Sequence, residues 1–186
     1  AWVGCCAGEV LLLEDRWHEA LAAAEEVCAS SPGMPAGYTI LARALVKLGR
    51  LAEAVERLTA VAAGRQSFEL LLLAIWYTCA QAERGTAAER KHLARLAIDL
   101  AAGLEELAPL ADRESRSQIA GAHVDAAMLL GDHDLVRRHA DRVLSPYFRA
   151  VLANLGDGDD RRLQLVPFRA VYQKHQTCLP AALAAV

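Results

Sequence analysis

Residues 38–61 decide the fold: Tyr-Thr-Ile-Leu-Ala-Arg-Ala-Leu-Val-Lys-Leu-Gly-Arg-Leu-Ala-Glu-Ala-Val-Glu-Arg-Leu-Thr-Ala-Val. Small residues at Ala42 and Ala54 let two antiparallel helices approach closely, and Gly49 supplies the turn between them. Leu58 and Val61 are large enough to fill the gap to the next pair. The same pattern stands 34 residues upstream. Gly8, Leu11, Ala20, Ala24, Val27 and Pro32 recur as Ala42, Leu45, Ala54, Leu58, Val61 and Gln66. A fixed period of this length marks stacked helical hairpins, each burying its apolar face against its neighbours.

This pattern resembles the tetratricopeptide repeat, a helix–turn–helix unit of about 34 residues. The second unit carries Tyr38, Leu41, Ala42, Leu45, Gly49, Ala54, Leu58 and Val61, most of the family pattern. In the first unit Gly4 replaces the usual aromatic and Asp15 the turn glycine, while Pro32 is retained. The resemblance implies an all-α fold, a right-handed α-solenoid of about four hairpins. Beyond residue 68 the strict period loosens. Helices are expected over 67–83, with Leu72, Ile75, Trp76 and Cys79 inward, and after Gly85-Thr86, with Leu93, Ala97 and Leu100 on one face. The latter face has slipped by five residues, making a longer third unit that Pro109 stops. A fourth pair is expected over 115–130 and 133–144, turning at Gly131-Asp132. Ser145-Pro146 then opens a short helix ending near Leu155.

Composition agrees. Ala and Leu dominate the 54% apolar content and aromatics are only 5%, which suits closely packed helices. A net charge of −3 and scattered Lys and Arg exclude a nucleic-acid surface. No apolar run approaches the roughly 20 residues that span a bilayer. Five cysteines, an odd number without C-x-x-C spacing, point to a reducing, cytoplasmic setting. No cofactor is expected. No metal site is expected either, because His133 and His139 stand six apart on one helix and His123 reads as a core or groove histidine.

The segment Gly156-Asp157-Gly158-Asp159-Asp160 changes the composition and makes 156–162 a linker between domains 1–155 and 163–186. Behind it, short extended runs around Pro167 lead to Gln173 and Thr177-Cys178 at the start of a small-residue helix. A helix N-terminus favours thiolate over thiol. This stretch resembles the start of a papain-like, double-glycine (bacteriocin-processing) cysteine peptidase, a short truncated α+β tail. The resemblance implies Cys178 as nucleophile and Gln173 as oxyanion-hole amide, with Gln176 as an alternative to Gln173. Such enzymes place their His and Asp or Asn far downstream of the cysteine, so these 186 residues are expected to be inert.

Function is therefore expected in the repeats: a scaffold holding a peptide or protein in a groove and attached to a peptidase-like domain. The alternative is a stand-alone interaction or assembly module. By repeat register the groove is lined by Arg43, Lys47, Tyr77, Gln81 and Asp125, with Trp2, Glu9 and Thr39 beside them. Arg43 and Lys47, one helical turn apart, are placed to meet a carboxylate.

Overall fold

The computed structural model describes residues 1–62 and 67–147, all within one compact unit, Ala1–Leu152. Among these residues there are eight α-helices and no strand. They run α1 (Trp2–Leu13), α2 (Trp17–Ser30), α3 (Pro35–Lys47), α4 (Leu51–Ala62), α5 (Phe68–Arg84), α6 (Ala87–Glu105), α7 (Arg113–Leu130) and α8 (His133–Ala140). A short 3₁₀ turn, Ala108–Leu110, separates α6 from α7. The expected tail, 163–186, and the linker at 156–162 lie outside the described residues.

Local chemistry sets the helix ends. Pro35 opens α3 at a position where its missing N–H costs nothing. Thr86 and Glu89 form a reciprocal capping box at α6, with the Thr86 N–H donating to Glu89 Oε2 at 2.8 Å. Asp112 and Asp132 cap α7 and α8, accepting from the Ser115 and Leu135 N–H groups at 2.8 and 2.9 Å. Three of the four hairpin turns among the described residues use left-handed backbone. Gly49 and Gly131 take φ of 77° and 76°, and Asp15, 34 residues before Gly49, takes φ of 59°. Aspartate tolerates that region better than most residues, so the first hairpin turns without glycine.

Each helix packs on the next, and α1 also touches α3, α3 touches α5 and α5 touches α7. Alternate second helices make no comparable contacts. The first helices of successive hairpins therefore lie side by side, as in a solenoid. Ala20, Ala42, Ala54, Ala74, Ala97 and Ala101 are fully buried where backbones approach, and Leu45, Leu58, Leu70, Ile75, Leu104 and Ile119 fill the spaces between. Each large side chain contributes about 1.5–3 kcal/mol on full burial.

The third hairpin is the longest, as expected, with helices of 17 and 19 residues. Three details differ from the sequence reading. Trp76 is 45% exposed instead of inward, because α5 buries the arc carrying Leu70, Leu71, Ala74, Ile75 and Thr78. Helix α6 ends at Glu105, before Pro109, which sits within the 3₁₀ turn. Helix α8 stops at Ala140, although Val143 is still buried. The helical turn expected at Pro146 begins there; its continuation lies outside the described residues.

Candidate protein-interaction face

The 34-residue period places Glu9, Arg43 and Tyr77 at equivalent positions of α1, α3 and α5. Arg43 Nη1 donates to both carboxylate oxygens of Glu9, at 2.7 and 2.8 Å. The carboxylate that Arg43 meets thus belongs to this chain, and the pair ties α1 to α3. With both side chains about 40% exposed, it contributes no more than ~1 kcal/mol. On the other side Arg43 lies close enough to Tyr77 to oppose the rise that burial imposes on the phenol pKa. One position further along this face, Thr39 Oγ1 donates to Glu69 Oε1 at 3.2 Å, tying α3 to α5. Lys47 is exposed and makes no ion pair among the described residues.

Helix α5 holds the centre of the face. On a wheel of 100° per residue, Trp76 falls between Tyr77, which feels Arg43 of α3, and Cys79, which feels Asp125 of α7. The open arc between α3 and α7 therefore presents an exposed indole beside a half-buried phenol. Gln81, one turn after Tyr77, has its Oε1 buried with no hydrogen-bond partner. An orphaned acceptor of this kind costs about 1–3 kcal/mol.

Towards α7 the face becomes acidic, with Asp125 partly buried and Glu83 exposed. Burial, reinforced by Glu83, pushes the Asp125 carboxyl up to about 6. Burial and the nearby Asp125 and Glu83 push the Cys79 thiol up to about 12, so it stays protonated and unreactive at neutral pH. Cys5, buried in α1, donates to the Met34 sulfur at 3.4 Å and is core, without a disulfide.

The five residues predicted to line the groove thus fall on α3, α5 and α7, the helices that lie side by side. Arg43, Tyr77 and Asp125 interact with other groups on that face, whereas Lys47 and Gln81 have unused polar groups. Sequence reasoning missed Trp76, and its only signal was a tryptophan next to Tyr77 on a helix already rich in core residues. Trp2 is 68% exposed on α1. Cys178 and Gln173 lie outside the described residues.

No helix among the described residues is long and apolar enough to cross a membrane. No curated protein and no solved structure matches the chain. The tetratricopeptide repeat family model matches residues 11–74, from the end of α1 into α5. The chain therefore carries a tetratricopeptide-like repeat, in a helical array of the kind that serves protein interaction.

Proposed function

We propose that this protein is an interaction scaffold whose α3–α5–α7 face holds an extended or helical peptide segment of a partner protein. The observation that supports it best is the open arc of α5, where the exposed Trp76 offers a large apolar anchor beside the half-buried Tyr77. Tryptophan is enriched among the residues that dominate binding energy at protein interfaces. Lys47 at one side and Asp125 with Glu83 at the other give the bound segment a direction, acidic groups towards α3 and basic groups towards α7. Selection of peptides from a random library on the full chain tests this reading. Selected peptides should lose at least about tenfold in affinity in Trp76→Ala, a loss above 1 kcal/mol, with helix content unchanged. Binding indifferent to Trp76→Ala and to Lys47→Glu would refute it.

The attachment to a papain-like cysteine peptidase domain rests on residues 163–186 alone. In that reading Cys178 is the nucleophile and Gln173 the oxyanion amide. Alkylation of Cys178 by iodoacetamide at pH 6 distinguishes it from an inert thiol, because only a depressed pKa gives rapid labelling there.

A further inference from the structure

Away from the interaction face, the last two hairpins bring together three side chains that no sequence spacing connects. His123 and His139 stand eight residues before and eight after Gly131, so the antiparallel pairing of α7 with α8 sets them side by side. Their rings stack with centroids 4.2 Å apart and planes 18° from parallel. Glu105, the last residue of α6, reaches both: its Oε1 lies 3.7 Å from His123 Nε2 and 3.6 Å from His139 Nδ1. One donor atom from each residue lies within 4.8 Å of the other two.

These groups do not satisfy one another as they stand. The two approaches to Glu105 are too long for hydrogen bonds. Among the described residues His123 makes no close side-chain hydrogen bond although its side chain is only 7% exposed, with only the Ala101 carbonyl acting on it from the backbone, and His139 Nδ1 is likewise buried and unpaired. Two stacked rings would repel if both were charged. Burial and the neighbouring ring push His123 down to about 4, against the pull of Glu105 and the Ala101 carbonyl. Burial also lowers His139. A carboxylate at the C-terminal end of α6 is opposed by the helix dipole and favours a cation beside it.

We propose that Glu105, His123 and His139 form a Zn²⁺ site that ties the end of α6 to α7 and α8. Two imidazoles and one carboxylate are a donor set that zinc takes at about 2.0–2.2 Å, leaving a fourth position open. Tetrahedral bonds of that length put donor atoms about 3.4 Å apart. The two edges that meet at Glu105 Oε1 are already within 0.3 Å of this, and the stacked rings have to turn so that His123 Nε2 and His139 Nδ1 face one point. Beside His123, the Ala101 carbonyl is the kind of backbone acceptor that orients a metal-bound imidazole. The competing cation is Arg142, whose Nη1 lies 3.2 Å from the same oxygen and whose side chain is 43% exposed. Zinc would displace it towards solvent. Arg138 and Asp141 are the other charged groups acting on His139, and they act in opposite senses.

Titration of Zn²⁺ into the full chain, followed by calorimetry, should show one ion per chain. Co²⁺ in its place should give visible d–d bands without a thiolate charge-transfer band, which separates this site from the cysteines. Glu105→Gln and His139→Gln should each weaken zinc by at least about 100-fold, since even outer-shell changes reach that size. Arg142→Ala should tighten it. Circular dichroism reports whether each variant is folded, and the partly exposed Glu105 decides the matter if His139→Gln loses helix. Absence of saturable zinc binding, unchanged affinity in Glu105→Gln, weaker binding in Arg142→Ala, or a thiolate cobalt spectrum would each overturn the proposal.

Discussion

Val27 shows how finely the first hairpins are fitted. It lies between two glycines on different helices: a Cβ on Gly4 of α1 would meet its Cγ2 at 2.6 Å, and one on Gly37 of α3 would meet its Cγ1 at 2.9 Å. Real Cβ atoms do not approach so closely, so the absence of a side chain at Gly4 and Gly37 lets three helices converge on one branched residue. Gly37→Ala should therefore destabilise by about 1–3 kcal/mol, as overpacking does. In the Val27→Ala background the added methyl should cost much less, because the space it needs has been vacated. Urea denaturation of the four species of this double-mutant cycle checks the coupling. Strict additivity would show that the two side chains do not compete for space. Gly4 was legible in the sequence only as a missing aromatic. That Val27 occupies the space was not, because it needs the crossing of α1, α2 and α3.

At the scale of helices, α3 and α4 follow the repeat pattern most closely and were read almost in full from sequence. Ala54 is completely buried where α4 meets its neighbours. Ala54→Glu would place an unpaired carboxylate in that contact, and a loss of at least about 3 kcal/mol is expected, read as a lower thermal midpoint. A midpoint equal to that of the parent would reject the helix register. Helix α5 was harder to read. It touches α3, α4, α6 and α7, so most of its circumference is apolar and periodicity alone does not single out the open arc. Placing Trp76 inward followed from that ambiguity. Its true position depends on which neighbours cover which arc. The ends of α6, α7 and α8 carry recognisable caps in Thr86, Asp112 and Asp132, whereas α1 and α2 start without a side-chain cap and depend on packing.

Across the whole array, pH acts on stability through buried ionisable groups. Asp125 has a folded pKa of about 6 against an ordinary value of 3.8, so the folded chain holds its proton more tightly than the unfolded chain does. Such a group costs nothing below about pH 4. Its cost grows as pH rises from about 4 to 6 and is complete above that. Asp125→Asn removes this cost, and the variant should be more stable than the parent by about 1–3 kcal/mol at pH 7.5 and equal to it at pH 4. The comparison between variants cancels the other titrating groups, and Glu83 and Cys79, which face Asp125, remain in both. Chemical denaturation at the two pH values checks it. A difference independent of pH would mean that Asp125 is solvated in the folded chain.

Among the described residues the sequence by itself determined the helical class and four hairpins, because a 34-residue period marks the first two and local helical periodicity with turn residues at Gly85 and Gly131 marks the others. Arg43, Lys47, Tyr77, Gln81 and Asp125 fall on α3, α5 and α7; the 34-residue register links Arg43 to Tyr77 and Lys47 to Gln81, whereas Asp125 lies beyond the slip in period. Only the tertiary structure decided what those residues meet: Glu9 for Arg43, no partner among the described residues for the Gln81 oxygen, and the nearby Glu83 for Asp125. It alone joined Glu105 to His123 and His139, and turned Trp76 outward. Contacts between helices depend on distances and angles across the array, and no spacing along one chain encodes those.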